Sequence, residues 1–435
     1  MNSQPVEIPK KWGLRGAFSL SRLVPALAVI GFSWFCLYYR GVGHVPLFGH
    51  NATESVVPLS GGTRERPIAI APHGDLRAEV SDDHLRVVLS AAVPYWDPIR
   101  TPAALHAVRL WGVDFEFPVG RQGTRIPRGR DYLAVLLDEH AFRCENRDAI
   151  GDTVDTADSF LFATRFGIGV SVNNEPTEKH LLGAAHVDQL LKVLADADIA
   201  RSTPVVTESA SGSIADLLAD SIARFSLEQE LEFTALAYCR WLPPQTEWRN
   251  RFNARFSFDD VARKLCGQPL GTGACNGIHG LQAIAQMLAV DKLHPLLSDS
   301  SISQIEGHLR ECTLCLEANE LPSGGWGDAW SGVAGPLPDG EQVWSPRFTV
   351  ISSTGHHLEW IAIAPAELRP ATPIVRRAIQ ALVREVAGMS ESDRSNFKHF
   401  LPVSHAARAL CQLRGESAIR LWQGLAPTTT NGGAK

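Results

Sequence analysis

The sequence has no run of lysine or arginine, and only 20% of its 435 residues are charged. Acidic side chains outnumber basic ones by 47 to 41, which gives a formal net charge of −6. Binding to the phosphate backbone of a nucleic acid needs clustered positive charge, so we predict no nucleic-acid partner. With 45% hydrophobic residues, the composition also excludes a disordered tail, a collagen and a coiled coil.

Long uncharged apolar stretches are also rare, and only one could cross a bilayer. Residues 23–39 lie between Arg22 and Arg40 and are just long enough to span. Basic residues are more numerous before this stretch than after it, which predicts an inside amino terminus and an outside main domain. We therefore expect a cytoplasmic segment at 1–22, a transmembrane signal-anchor at 23–39 and a tether at 40–66. A cleaved signal peptide and a buried helix are the alternatives.

The rest of the chain is dominated by helical periodicity. Two short alternating runs around a turn predict a small β element at 67–100. Beyond it, apolar residues recur at helical spacing over 101–414, which predicts one helical domain followed by a tail at 415–435. We predict an all-α fold, an α/α toroid of about six helical hairpins with an inner and an outer ring. The predicted helices are 101–111, 130–142, 178–197, 213–225, 227–242, 257–266, 274–290, 298–319, 354–364, 372–387 and 403–413.

Histidines occur near the start of the first, third, seventh, ninth and eleventh of these helices. In a ring of alternating outer and inner helices, every second helix has the same direction, so its starts collect at one end. The pattern predicts that several histidines line one cavity at the mouth of the toroid. For any single histidine, a buried core position is the alternative explanation. The residues are His106, His186, His279, His356 with His357, and His405.

The glycine-rich segment 271–287 contains the best candidate metal ligands. Cys275 and His279 are four residues apart and share a helical face, within reach of one ion. A cysteine at a helix amino terminus is also stabilised as the thiolate. Together with His356 they form a possible zinc site. The alternative is a tight turn with a small thiol packed beneath it.

Two further segments suggest catalysis and ligand binding. His356 and Glu359 are three residues apart on one helical face, and with His279 they are the candidate proton carriers. Alternatively, Glu359 only orients its histidine. Trp326 and Asp328 lie in a glycine-rich loop and, with His106, are candidate ligand-binding residues; a loop that plugs the barrel end is the alternative. The lone Cys-x-x-Cys at 312–315 is a weak zinc or redox candidate.

Local motifs resemble those of several toroid families. The Gly-Gly-Trp-Gly loop at 324–327 between helices resembles the repeats of terpene cyclases and protein prenyltransferases. Cys275 with a distant histidine is similar to the zinc site of prenyltransferases and lanthionine-forming cyclases. The helix start at 355–360 is similar to that of N-acylglucosamine epimerases, in which histidines move protons on a sugar. Over 101–414 the pattern most resembles uncharacterised membrane-anchored bacterial proteins with a toroid domain, a resemblance that implies no known activity.

Two function hypotheses follow. The first is a membrane-anchored enzyme that acts on a carbohydrate or lipid-linked substrate, with its Cys/His site at the toroid mouth. A small molecule or glycan would then be the ligand. The second is a non-catalytic binding or scaffold module at the membrane surface. In that case the same residues are structural.

Overall fold

The computed structural model describes residues 64–94, 101–117, 128–145, 159–172, 183–184, 186–244, 247–332 and 344–425. The signal-anchor predicted at 23–39 and the segment 1–22 lie outside this part of the chain, as does nearly all of the tether. Among the described residues, no helix is long and apolar enough to cross a membrane. All of the described residues belong to one compact unit.

The described chain is mostly helical, as the sequence predicts. One 3-10 helix lies at Gly74–Glu79 and another at Ala366–Leu368. The α-helices are α1 Asp82–Ala91, α2 Thr101–Trp111, α3 Gly129–Leu137, α4 Glu139–Glu145, α5 Gln189–Asp196, α6 Ile214–Arg224, α7 Glu232–Trp241, α8 Phe258–Cys266, α9 Ile278–Asp291, α10 Asp299–Ala318, α11 Pro346–Ile361, α12 Thr372–Ala387, α13 Glu391–Ser395, α14 Phe397–Arg414 and α15 Ala418–Leu425.

Short antiparallel hairpins lie in the connections between helices. Among the described residues, consecutive strands pair, and each pair forms a separate two-stranded sheet. Their short lengths leave the helices to form most of the core. The strands are β1 Leu161–Thr164, β2 Gly167–Val170, β3 Pro204–Val206, β4 Ser211–Ser213, β5 Trp248–Arg249 and β6 Arg255–Phe256.

The β element predicted at 67–100 is wrong, because its described part contains helix α1. Ser81 caps this helix: its hydroxyl accepts from the backbone N–H of His84, and His84 Nδ1 accepts from the Ser81 N–H. Asp82 and Asp83 add negative charge in the first turn, where the helix dipole favours it. The apolar residues that resembled strand alternation form one buried helical face instead.

Six helices contact one another in a closed cycle. Helix α2 packs on α5, α5 on α7, α7 on α9, α9 on α11, α11 on α14, and α14 again on α2. These are the first, third, fifth, seventh, ninth and eleventh helices predicted from the sequence. All ten residues of α7 are buried, whereas α10, outside the cycle, buries one face at a spacing of three and four residues. The cycle therefore encloses the centre of the described unit.

Two helices of the cycle begin earlier than predicted. Helix α11 begins at Pro346 rather than near 354, and α14 begins at Phe397 rather than near 403. Gly355, interpreted as part of a helix start, lies in mid-helix. A glycine is needed there because a Cβ would be 2.9 Å from the backbone nitrogen of Ala406. The glycine thus allows α11 and α14 to pack backbone to backbone. His356 and His405 consequently lie inside helices, whereas His279 is the second residue of α9.

Candidate metal centre

The loop before α9, residues 271–277, is called the ligand loop below. Cys275, Asn276 and Gly277 have successive φ values of 50°, 54° and 76°, so three residues in the left-handed region precede the helix. The indole N–H of Trp330 donates to the Asn276 carbonyl at 3.0 Å, and the Asn276 amide donates to Asp328 at 3.4 Å. These contacts hold a backbone conformation that cysteine rarely adopts. They place the exposed Cys275 beside the first turn of α9.

Cys275, His279 and His356 come together as the sequence predicts. One ligand atom from each lies within 4.8 Å of the other two, and the rings of His279 and His356 are 4.7 Å apart at 79°. Both histidines are buried, while the cysteine is exposed. Ligands of a tetrahedral zinc, with bonds of about 2.0 to 2.3 Å, are separated by roughly 3.5 Å, so closure by about 1 Å suffices. The cluster can hold a metal ion.

The hydrogen bonds of the two histidines engage Nδ1 in both rings. His356 Nδ1 donates to the Ser352 carbonyl at 2.7 Å, and its buried Nε2 has no partner among the described residues. His279 Nδ1 donates to the Gln282 side-chain oxygen at 3.3 Å, since the Gln282 amide nitrogen donates onward to Glu359. The network thus assigns the proton to Nδ1 in both rings, and each Nε2 keeps its lone pair.

Burial keeps these imidazoles neutral. It lowers the pKa of His356 to about 4, although Glu359 acts in the opposite direction. It also lowers the pKa of His279 well below the usual value, and the neighbouring His356 adds to this. Metal ligands must be unprotonated, so both side chains are in the state that binds a metal at neutral pH.

Glu359 lies behind the two histidines and is fully buried. Arg109 donates to it at 2.8 Å and Arg408 at 3.2 Å, and the Gln282 amide donates at 3.3 Å. Burial acts to raise the pKa of Glu359, but the positive charges around it prevail and hold that pKa well below its usual range. The carboxylate is therefore ionised, and through Gln282 it orients His279. This arrangement matches the alternative in which Glu359 orients a histidine; its predicted role as a proton carrier stays a prediction.

Asp196 extends the same network of charges. Its Oδ1 is 2.7 Å from Arg240, and its Oδ2 is 2.6 Å from Lys192, 3.3 Å from Arg109 and 3.2 Å from Arg408. The Asp196 side chain is only 5% exposed. We call this group the ionic network; its members are Arg109, Lys192, Asp196, Arg240, Glu359 and Arg408.

The histidines of alternate helices form a continuous series of rings. His106 and His405 are 5.0 Å apart, His405 stacks on His356 at 3.6 Å, and His279 lies 6.0 Å from His186. His357 differs, because it faces Trp326 and Trp330 and accepts from the Trp360 N–H at 3.0 Å. The convergence follows from the packing of the helices of the cycle against one another. The rings in contact are those of His106, His186, His279, His356 and His405.

His186 belongs to a pair that the sequence analysis missed. Its Nδ1 donates to Glu230 at 2.6 Å, and the second oxygen of Glu230 accepts from the Val187 N–H at 3.2 Å. The ring stacks on Phe233 at 4.5 Å. Both partners of the pair are about one quarter exposed, unlike the buried rings of His279 and His356. A histidine oriented by a carboxylate, with access to solvent, is suited to carry protons.

The remaining predicted site residues lie close to this centre but in different roles. Trp326 is fully buried, and its indole N–H donates to the Leu316 carbonyl at 2.9 Å. Asp328 is half-buried and accepts from the ligand loop. His106 is half-buried, and its Nδ1 donates to the Pro102 carbonyl at 2.6 Å. Trp326 thus packs in the core, and ligand binding by these three residues stays a prediction.

The sequence contained one signal for the missed ionic network. Lys192, Arg109 and Arg240 each interrupt an otherwise apolar stretch of a helix that the structure buries on most sides. A charged residue at such a position needs a buried partner of opposite sign. Asp196 lies four residues after Lys192 on the same helix, so that pair was visible in the sequence, whereas the partner of the arginines could not be identified without knowing which helices are neighbours.

Comparisons of this chain with protein-family models, with curated proteins and with solved structures give no match.

Proposed function

We propose that the chain is a zinc enzyme whose site lies inside an α/α toroid. The closed cycle of six helices supports the toroid, since alternate helices of the sequence form the cycle and helices between them pack outside it. The observation that carries the function is the meeting of Cys275, His279 and His356 ligand atoms within 4.8 Å. Three ligands favour a catalytic over a structural zinc, which normally has four protein ligands.

A zinc ion with three protein ligands keeps one position for water or substrate and lowers the pKa of the bound water toward neutrality. Around it, the chain holds the ligands in fixed orientations. Gln282 and the Ser352 carbonyl fix the two imidazoles, and Trp330 fixes the ligand loop. These contacts set the ligand geometry before the metal binds, which favours tight and specific binding.

We assign proton transfer to His186 with Glu230, and not to Glu359. Glu359 contacts two arginines and His405 and has no exposed surface, so it does not meet solvent directly. His186 is partly exposed, and its ring neighbours that of His279. The proposed reaction is accordingly the cleavage of a substrate bond by water or another nucleophile, with His186 and Glu230 transferring the proton. A carbohydrate or lipid-linked substrate, and anchoring of the protein through 23–39, stay predictions.

Zinc binding by the full-length protein in detergent tests the proposal. We expect one zinc per chain by elemental analysis, and the Cys275→Ser variant should bind zinc at least about tenfold more weakly. Cys144→Ser is the matched control, because Cys144 is also exposed and its sulfur lies 3.8 Å from Nε2 of His140, four residues earlier on a helix. Equal zinc affinity in the two variants, or no zinc in the wild type, would contradict the proposal.

A further inference from the structure

The hairpin of β5 and β6 is fixed in the core at its base and exposed at its tip. Trp248, at the base, is fully buried, and its ring lies 5.1 Å from that of Phe225 and 5.4 Å from that of Tyr238. Phe252, at the tip, is 75% exposed, which makes it the most exposed large hydrophobic side chain among the described residues. The β5–β6 hairpin therefore presents an aromatic ring to the solvent from a firmly packed base.

Hydrogen bonds within the tip hold its backbone in place. The side-chain oxygen of Asn250 accepts from the N–H of Phe252 at 3.0 Å and from the N–H of Ala254 at 3.1 Å. Asn253 has a φ of 61°, and its backbone and side-chain oxygens accept from Arg249 at 3.1 and 3.2 Å. A single exposed apolar side chain is ordinary on a protein surface. A backbone that is already ordered, however, lowers the entropy cost of binding through that side chain.

The same tip carries an excess of positive charge. The segment 247–256 contains three exposed arginines, Arg249, Arg251 and Arg255, and one acid, Glu247, so its formal charge is +2. Arginine stays protonated at any ordinary pH. Glu247 pairs with Arg255, whereas neither of the other two arginines has an acidic partner among the described residues. The Arg251 guanidinium lies 4.8 Å from the centre of the Phe252 ring. The tip thus combines an apolar ring with guanidinium groups that are available to an anion.

The amino-terminal chain enters the described unit near this hairpin. Arg64 is the first described residue, and its N–H donates to the Trp241 carbonyl at 3.0 Å. Trp241 precedes Trp248 by seven residues, which span at most about 25 Å even when fully extended. If 23–39 spans a bilayer as predicted, the hairpin lies near the point at which the tether holds the unit to that bilayer.

We infer that the β5–β6 hairpin docks on an anionic lipid surface, with Phe252 in the interface and Arg249 and Arg251 on lipid phosphates. An aromatic ring beside guanidinium groups suits this boundary, because the ring leaves water while the charges stay at the depth of the headgroups. A protein partner fits less well, since a stable protein interface needs about 800 Å² from each side and one aromatic ring supplies about 200 Å². The contact fixes the orientation of the unit on the membrane, and it does not depend on the metal centre.

Photocrosslinking of the full-length protein on vesicles tests the inference. The photoreactive amino acid p-benzoylphenylalanine replaces Phe252 in one protein and, as a control, Leu314, which is 66% exposed on α10. The vesicles contain phosphatidylcholine alone, or phosphatidylcholine and phosphatidylglycerol in equal parts. On the mixed vesicles we expect at least about fivefold more lipid adduct from position 252 than from position 314. Adding Arg251→Gln should lower the yield at 252 about fivefold, because one arginine near an anionic surface contributes about that factor.

Arg310→Gln is the matched control for charge, because Arg310 is 54% exposed and pairs with Glu306 on its own helix. It should leave the yield at 252 unchanged. No lipid adduct at 252, equal yields at 252 and 314, or equal yields on the two kinds of vesicle overturn the inference. A yield that Arg251→Gln leaves unchanged overturns it as well. Adducts at 252 that join two copies of the chain also overturn it and indicate self-association instead. Cys275→Ser should give the wild-type result, so a failure of the proposed zinc site is distinguishable from a failure of this inference.

Discussion

Replacement of Asp196 by asparagine should destabilise the protein strongly, although the side chain keeps its shape. The carboxylate is 5% exposed and contacts four cations at 2.6 to 3.3 Å. Without its charge, Arg109 and Arg408 still contact Glu359, but Lys192 and Arg240 contact no other carboxylate among the described residues. Loss of one partner from a buried ion pair costs about 3 to 5 kcal/mol. With two cations stranded, we expect about 4 kcal/mol or more, a change of about a thousandfold in the folding equilibrium.

Urea unfolding followed by tryptophan fluorescence gives the free energy of unfolding. The slope of this free energy against urea concentration should be the same in the wild type and in Asp196→Asn. Asp198→Asn is the matched control, two residues away. Asp198 pairs with Arg66 at 3.2 Å, but their side chains are 64% and 62% exposed. Such a surface pair is worth about 0 to 1 kcal/mol. The φ of Asp198 is 53°, in the left-handed region, which asparagine tolerates, so the control substitution adds no backbone strain.

The double variant tests the physical reason for the loss. Lys192→Met removes one of the stranded cations, so Lys192→Met combined with Asp196→Asn should be more stable than Asp196→Asn alone. Such non-additivity is expected for groups in one network. The reasoning is refuted if Asp196→Asn costs less than about 1 kcal/mol, or no more than Asp198→Asn. It is also refuted if the loss in the free energy of unfolding of the double variant equals the sum of the losses in the two single variants.

Three further predictions concern close packing, the ligand loop and acid stability. Gly355→Ala should lower the free energy of unfolding in urea by about 1 to 3 kcal/mol, because the new Cβ meets the backbone of α14. Gly307→Ala, in open space on α10, should raise it by about 0.5 to 1 kcal/mol. Similar effects of the two substitutions would contradict this explanation. Trp330→Phe removes the N–H that holds the ligand loop and should weaken zinc binding in a competition titration about tenfold, unlike Trp326→Phe, whose N–H donates elsewhere. Burial acts to raise the pKa of Asp196, but the surrounding cations lower that pKa below its usual value. The stability that the Asp196 carboxylate gives to the folded protein is therefore complete above about pH 4 and is lost as the pH falls through the folded-state pKa. The difference in the free energy of unfolding between wild type and Asp196→Asn, measured in urea titrations, should therefore shrink below about pH 4. A difference that grows at lower pH would contradict this role of the Asp196 charge.

The helices were predictable because their signals are local. Apolar spacing placed α2 and α12 at their observed boundaries, and α8 and α10 to within a residue at each end. The failure at α1 is also local in origin. A short helix with one apolar face and a β-branched pair, Val87 and Val88, resembles a strand until its Ser81 cap is recognised.

The candidate ligands were predictable for a topological reason. Alternate helices of the sequence pack against one another in the cycle, so residues on them can meet. This brought Cys275, His279 and His356 within reach of one ion even though His356 was assigned to a helix start and lies in mid-helix. The error came from Gly355, because a glycine at a helix cap and a glycine at a close helix crossing look alike in sequence.

The sequence by itself determined the helical class, the alternation of helices and the residues of a cluster that can hold a metal ion, since all three depend on spacing along the chain. Only the tertiary structure decided which charges share the interior. Asp196 meets Arg109, Arg240 and Arg408 from three other helices, and Glu230 meets His186 across a gap of 44 residues. Contacts of this kind depend on helix rotation about the axis, and a rotation of a few tens of degrees, invisible in the sequence, would separate the same side chains.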